Sequence, residues 1–445
     1  MLSLEQWLDY QAQVHPQAID LGLDRLQRVL ERLRWRQPRS PIITIAGTNG
    51  KGSVSAYCSA ILMAAGYRVG TFTSPHLRDY RERIRIHDRL VSADELISAF
   101  ERIEAARGEI GLTFFEFNAL AAFLLFEAAD LDAWVLEIGM GGRLDAVNAV
   151  EPDVAVVVSI GLDHQEYLGT SLEAIAREKA GIFRKGKPAI LGSHAMPSVI
   201  EDIAADVGAW VKRLGAEFTY SRDGDRWRYQ GSCWELSRLP PPALAGECQF
   251  ANAATALAAL EELRLSIPEA AVARGLAAVR LPGRFQTIPR TTPGPTWILD
   301  VAHNPAAASV MADNLGRSAS SGRPFHGYAR TLAVCGMLSD KDAAGIAAVL
   351  RGCIDVWWCT STEGARGQSG IALAEQVRSH VNVPVHVAAS VAEACTAASS
   401  AAADDDRIIV FGSFHTVGPA LDWLESRNLL PSAALPEYTA APRAT

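Results

Sequence analysis

Apolar and polar positions along the chain follow two rhythms. Leu23, Leu26, Val29, Leu30 and Leu33 recur at helical spacing with Arg and Glu between them, so residues 1–40 read as helical until Pro38 and Pro41. A β-branched strand, Ile42-Ile43-Thr44-Ile45, follows. A glycine loop then leads into an apolar helix from Val54, closed by Gly66. Residues 67–77 read as a short strand running into a loop. Ser92 and Glu95 have the spacing of a capping box. A long apolar helix from Glu116 to Ala129 runs into the strand Ala133-Trp134-Val135-Leu136-Glu137-Ile138. Residues 154–160 read as a strand buried on both faces.

Strands alternating with helices predict a parallel sheet wound in βαβ units. The rhythm changes near residue 187. Residues 220–239 alternate aromatic and polar positions like a small β meander, Pro240-Pro241-Pro242 reads as a turn, and residues 250–263 form an Ala-rich helix. After a Pro- and Gly-rich stretch the α/β alternation resumes, with strands at 297–300, 332–335, 355–359 and 407–411. The predicted architecture is α/β. Strand, glycine loop and helix at residues 42–66 make the first domain (1–285) P-loop NTPase-like, a parallel-sheet domain expected to be the ATPase; a linker (286–295) and a smaller Rossmann-like α/β domain (296–445) follow. The Ala/Pro-rich tail from Pro431 reads as loose.

Composition narrows the function. With 445 residues, two cores are expected. A net charge of -8 without a long basic run disfavours nucleic acid. Seven scattered cysteines without a C-x-x-C pair argue for reduced thiols in the cytoplasm, not a zinc site or a disulfide framework. The acidic first residues do not form a secretory signal, and no apolar stretch is long enough to cross a bilayer.

The chemistry centres on Ala46-Gly47-Thr48-Asn49-Gly50-Lys51-Gly52-Ser53. Strand, glycine loop and helix make an anion cradle in which backbone N–H groups and Lys51 meet phosphate. Against G-x-x-x-x-G-K-[ST] the match is imperfect, because Gly52 stands where Ser or Thr should be. Ser74, Glu137 and Asp163-His164 fall at strand ends, where open α/β sheets bind ligands. A hydroxyl, a carboxylate and an imidazole beside nucleotide oxygens suit Mg²⁺. A buried charge at Glu137 favours a metal or an Arg partner. Phe114, Phe115 and Phe117 surround Glu116; this is either core or a slot for a flat heteroaromatic ligand with Glu116 fixing its edge. By residue physics alone, Lys179 reads as a surface lysine paired with an acid. Arg284 has the fork geometry to reach phosphates. Asp300-Val301-Ala302-His303-Asn304-Pro305 and Gly412-Ser413-Phe414-His415 follow strands of the second domain.

These motifs resemble, in order and over about residues 20–425, the bacterial bifunctional dihydrofolate synthase / folylpolyglutamate synthase family of the Mur ligase superfamily. The likeness is carried by the glycine loop, Thr73-Ser74-Pro75-His76-Leu77, Phe114-Phe115-Glu116-Phe117 and residues 137–146. It continues through Leu162-Asp163-His164, residues 177–182, Leu281-Pro282-Gly283-Arg284-Phe285, residues 300–305 and 412–416. Glycine after the loop lysine fits this branch.

The resemblance implies an ATP-dependent ligase that adds L-glutamate to dihydropteroate and to reduced folates through an acyl phosphate. It implies ATP contacts at Thr48, Asn49, Gly50, Lys51, Gly52, Ser53, Asn252, Arg284 and Asp300. Metal ligands would be Ser74, Glu137, His164 and a carbamylated Lys179, holding two Mg²⁺; a monovalent cation is a further implied cofactor. Pterin contacts would be Phe114, Phe115, Glu116, Phe117, Arg143, Leu144 and Asp145. His303 and Ser413 fall to the glutamate end, and Lys51, Lys179 and His303 to catalysis. A monomer is expected. Residues 215–250 match poorly and receive no role. Three alternatives stand beside this reading. A cell-wall Mur ligase would need a domain before the loop, where only about forty residues are present. The others are a folylpolyglutamate synthase without dihydropteroate activity and a P-loop NTPase switch.

Overall fold

The computed structural model describes residues 2–290, 293–316, 327–364 and 366–431. The tail read as loose lies outside these residues beyond Pro431, as do Thr291 and Thr292 of the stretch read as a linker. The chain forms two compact units. One comprises residues up to Ala243 and Phe250–Val279; the other comprises Leu244–Gln249 and the residues from Arg280 onward.

In the first unit the helical N-terminus is two helices, α1 (Leu4–Val14) and α2 (Asp24–Leu33). Then follow β1 (Ile42–Ala46), α3 (Lys51–Ala64), β2 (Val69–Phe72), β3 (Ile84–Ile86), β4 (Arg89–Leu90), α4 (Ala93–Arg107) and α5 (Phe114–Ala128). Next are β5 (Ala133–Glu137), β6 (Val154–Val157), the single turn α6 (Gln165–Leu168), α7 (Leu172–Ala180), β7 (Pro188–Leu191), α8 (Val199–Val207) and β8 (Trp210–Arg213). The eight strands lie in the order β4-β3-β2-β5-β1-β6-β7-β8. From β2 to β8 all neighbours are parallel. Strands β1, β5 and β6 are buried along their whole length, which explains their unbroken apolar runs. Trp134 on β5 is 1% exposed and packs edge-on against Phe126 of α5. Burying a ring of this size contributes roughly 2–3 kcal/mol.

Strand β6 stops at Val157, three residues short of the sequence expectation, because residues 159–161 turn aside to hold the glycine loop. Strands β7 and β8 were not foreseen: β7 is only four residues long, and β8 has no fully buried position to carry a strand signal. The expected meander is present as β9 (Thr219–Asp223), β10 (Arg226–Gln230) and β11 (Glu235–Leu239), an antiparallel three-stranded sheet. Tyr229 in it donates to the buried Glu261, which also accepts the N–H of Ser232. Glu261 lies on α9 (Cys248–Glu262), and α10 (Glu269–Ala278) packs against α3.

The second unit carries a six-stranded sheet with the sequential elements β12 (Gln286–Ile288), β13 (Thr296–Asp300), α11 (Pro305–Asn314), β14 (Thr331–Cys335), α12 (Ala343–Val349) and β15 (Val356–Thr360). It continues with α13 (Gly370–Arg378), β16 (Val385–Ala388), α14 (Val391–Ala401), β17 (Arg407–Phe411) and α15 (Phe414–Ser426). The order is β12-β13-β17-β14-β15-β16, parallel except for β12. Gln286, Thr287 and Ile288, inside the stretch read as a linker, pair with Leu299, Ile298 and Trp297 and so extend this sheet. No helix among the described residues is long and apolar enough to cross a membrane.

Candidate active site

In the first unit the order β2-β5-β1-β6 sets four strand ends side by side. The loop after β1 is the glycine cradle. Thr48 is fixed on both sides: its N–H donates to the Ser159 carbonyl at 2.9 Å, and its Oγ1 donates to the Gly161 carbonyl and accepts the Gly161 N–H, each at 3.0 Å. Asn49 N–H donates to Ser159 Oγ at 3.0 Å, and that hydroxyl donates to the Asn49 carbonyl at 2.9 Å. Gly50, at φ 88°, opens α3. A Cβ there would fall 2.7 Å from Val158 Cγ1 and 2.8 Å from Asn252 Oδ1, so only glycine fits, and Asn252 lies against the cradle. Lys51 Nζ folds back onto the carbonyls of Gly47 and Thr48 at 2.9 and 3.3 Å. Gly52 is half-buried and Ser53 is buried within α3.

Lys179 is not a surface lysine. It is 4% exposed in the last turn of α7, and Nζ donates to the Gly47 carbonyl at 3.0 Å. Burial, with the charge of Lys51, pulls its pKa down to about 7 against the opposing pull of Asp163 and Asp145. It is brought there by residues 139–145: a Cβ on Gly142 would lie 2.7 Å from the Glu178 carbonyl and 3.0 Å from Lys179 Cα. The Arg143 N–H donates to the Glu178 carbonyl, and the Arg143 side chain pairs with Glu178 at 2.8 Å.

Ser74 and Glu137 meet directly, the Ser74 N–H donating to Glu137 Oε2 at 3.2 Å. Glu137 is 4% exposed, and its charge acts on the buried Arg83 without an ion pair between them. His164 opens α6 at φ 49°, with its N–H on Asp163 Oδ1 at 2.9 Å. No group of three or more His, Cys, Asp and Glu side chains placed for a metal occurs among the described residues. Ser74 and Glu137 bring a hydroxyl-bearing residue and a carboxylate together, donors that suit a hard divalent cation keeping water and phosphate oxygens in its remaining positions.

The aromatic cluster divides. Phe117 is fully buried, and Glu116 is 3% exposed. Glu116 Oε2 accepts the Thr113 N–H at 2.7 Å in a capping box, while Oε1 faces Arg25 Nε at 3.3 Å. Glu116 thus caps α5, and Phe117 lies in the core. Phe114 and Phe115 are half-exposed, with Phe115 packed on Phe72 at 5.9 Å. Asp145 is buried and accepts the N–H groups of Met140 and Val147 at 2.8 and 3.0 Å; burial pushes its pKa up to about 7. Leu144 is half-buried beside the exposed Arg143. Sequence reasoning passed over the Thr113–Glu116 capping box, although T-x-x-E was readable. It also passed over Arg83, which nothing in the polar run 78–85 marks out.

In the second unit β13 and β17 are adjacent and parallel, with Asp300 opposite Phe411, so the 300–305 and 412–416 loops open at one edge. Asp300 accepts the N–H groups of Phe285 and Ala302 at 3.0 and 2.8 Å. Burial raises its pKa to about 6 against Arg284 and His303. Arg284 lies over the Phe414 ring at 5.3 Å. His303 Nδ1 is 2.8 Å from the Val301 carbonyl. Asn304 caps α11, and the buried Ser413 caps α15.

A glycine cradle with a strand-end acid on one parallel sheet, followed along the chain by a second α/β unit, fits the Mur ligase class. Residues 45–260 match the Mur ligase middle domain and residues 283–414 the Mur ligase, glutamate ligase domain. The chain is 44% identical over 425 residues to the dihydrofolate synthase/folylpolyglutamate synthase of Escherichia coli strain K12, covering 96% of each chain. It is 33% identical to that of Mycobacterium tuberculosis, covering 94% of this chain and 93% of the relative. The solved structure of E. coli FolC in complex with DHPP and ADP superposes with a TM-score of 0.89 at 43% identity, covering 96% of this chain and 99% of that one. A bifunctional folylpolyglutamate synthase/dihydrofolate synthase solved with Mn, AMPPNP and L-glutamate bound gives 0.86 at 43% identity, covering 96% and 98%. The chain belongs to the dihydrofolate synthase/folylpolyglutamate synthase family.

Proposed function

We propose that the chain ligates L-glutamate to dihydropteroate, giving dihydrofolate, and to reduced folates, giving folylpolyglutamates, with ATP converted to ADP and phosphate. The observation that carries this reading is the glycine cradle braced at the centre of the sheet, with Glu137 on one side and Lys179 hydrogen-bonded into it on the other.

A carboxylate is a poor acyl donor. Its oxygen attacks the γ-phosphorus of ATP, the bond to the ADP oxygen breaks, and an acyl phosphate forms. The glutamate amine then attacks the carbonyl carbon, loses a proton, and the tetrahedral intermediate expels phosphate. Thr48, Asn49, Gly50, Lys51, Gly52 and Ser53 hold the phosphates, with Lys51 turning from the loop carbonyls to the transferring oxygens. Asn252, Arg284 and Asp300 are further ATP contacts, and His303 and Ser413 serve the glutamate end. Phe114 and Phe115, with Arg143 and Leu144, form the pterin wall, and Asp145 sets the loop that carries the latter two.

Ser74, Glu137 and His164 would hold one Mg²⁺, and a carbamylated Lys179 a second. Bound there, the cations would neutralise phosphate oxygens. A neutral Lys179 amine adds CO₂ and releases a proton to become a carbamate. A pKa near 7 supplies that neutral amine at physiological pH.

Phosphate release from ATP tests the reading. Release should require both glutamate and either dihydropteroate or tetrahydrofolate. Release indifferent to both would sink the ligase. Turnover with tetrahydrofolate but not dihydropteroate would leave a folylpolyglutamate synthase alone.

A further inference from the structure

Arg83 closes a 3-10 turn, Tyr80–Arg83, between β2 and β3. It is 8% exposed. Its Nε donates to His76 Nδ1 at 2.8 Å. A guanidinium only donates, so His76 Nδ1 accepts there. The guanidinium carbon lies 5.7 Å from the Tyr80 ring centre and 5.6 Å from that of Phe114. The charges of Glu82 and Glu137 act on it, yet among the described residues no carboxylate reaches it as an ion pair, and neither Nη group hydrogen-bonds to the protein.

This is an uncommon arrangement. A desolvated cation with unused donors is costly to keep. The surroundings hold it rigidly nonetheless. Glu82 collects the N–H groups of Leu77, Arg78 and Asp79 at 2.7, 3.0 and 2.8 Å. The Ser74 N–H is fixed on Glu137 at the other end of the same loop. A fork held in place with its two outer nitrogens open is built for a planar anion. Its neighbours say which anion. Phe114 borders it on one side, in the wall assigned to the pterin. Glu137, assigned to the cation at the transferring phosphate, lies within range of its charge. The group that must sit between pterin and phosphate is the carboxylate to be activated.

We propose that the two Nη groups of Arg83 receive the carboxylate of dihydropteroate, or of a reduced folate, that is phosphorylated in the first step. This rests on the ligase reading above. The contact fixes one carboxylate face and leaves an oxygen lone pair free to attack phosphorus. Lys substitutes only in part, because it offers a point charge where the fork offers two parallel donors.

The test compares binding of dihydropteroate and of its carboxamide to the full-length protein. Wild type should prefer the carboxylate by about 30-fold, within the range for hydrogen bonds to a charged group. In Arg83→Gln the preference should shrink to about threefold or less, and in Arg83→Lys it should fall between. A purely structural role would weaken both ligands together and leave their ratio unchanged. An unchanged ratio in Arg83→Gln overturns the proposal, as does a wild type that binds both ligands equally. Should Arg83→Gln fail to fold, Arg83→Lys decides: a wild-type ratio there overturns it. The measurement needs no turnover, so it is separate from the ligase reading, which fails only if wild type releases phosphate without regard to pterin and glutamate.

Discussion

Lys179 Nζ donates to the Gly47 carbonyl at 3.0 Å, joining the last turn of α7 to the first residue of the phosphate loop across 132 positions of chain. The bond places a buried amine where a bound nucleotide's phosphates would lie. It also ties the geometry of the loop to the chemical state of that amine.

Removing the amine should therefore abolish ligation while leaving the fold. Lys179→Ala is expected to lose about 100-fold or more in kcat, the scale for losing one preorganised electrostatic group at a reacting centre. Added formate or acetate should restore part of it by standing in for the carbamate. Steady-state glutamate incorporation checks this, and full activity without rescue would refute the carbamate role.

The same lysine gives a pH signature. Its folded pKa, about 7, lies below the ordinary lysine value near 10.4. Between those values the unfolded chain binds more protons, so the Lys179 contribution improves stability as pH rises through that window. Below about pH 7 the penalty for the buried charge is fully present. In CO₂-free buffer, Lys179→Met should thus melt above wild type at pH 6, with the gap narrowing toward pH 10. At a fixed concentration of dissolved CO₂, activation should be faster at pH 8 than at pH 6, because only the neutral amine reacts.

Glu116 divides stability from recognition. Glu116→Ala removes the capping-box acceptor from α5 and leaves Arg25 paired with Asp20, with an expected cost of about 2 kcal/mol in urea unfolding. Glu116→Gln keeps an acceptor for the Thr113 N–H and should cost about 1 kcal/mol. A loss confined to the KM for pterin, with stability unchanged, would restore the ligand-edge role that the sequence suggested.

For Asp300, the two backbone N–H groups on its carboxylate mean that Asp300→Asn can keep only part of the loop's bonding. Its expected effect is a rise of about tenfold in the KM for ATP. An unchanged KM for ATP would remove Asp300 from the nucleotide contacts.

The sequence disclosed what local chemistry encodes. Ile42–Ala46 and Ala133–Glu137 are continuous apolar runs because both faces of their sheet are covered. Ser92 and Glu95 announced the start of α4 by their spacing alone. It disclosed less where tertiary context decides. Val385–Ala388 is half-exposed and alternates too weakly to read as a strand, yet it pairs with β15. Lys179 shares the register of Ile175 and Ala176, and nothing local says that this face of α7 is turned inward. Arg83 sits in a run rich in arginine, and its burial against Tyr80 and Phe114 sets it apart from its neighbours.

The staples from Thr48 to Gly161 and from Asn49 to Ser159 make one mechanical part of two segments more than a hundred positions apart. Exchange of homologous stretches between parents respects such parts or breaks them. A chimera with a single junction between residues 48 and 159 takes its cradle from one parent and the clasp from the other. A junction in the turn between β9 and β10 leaves both in the same inheritance. Recombined libraries of this family should therefore thin out at the first kind of junction and survive at the second.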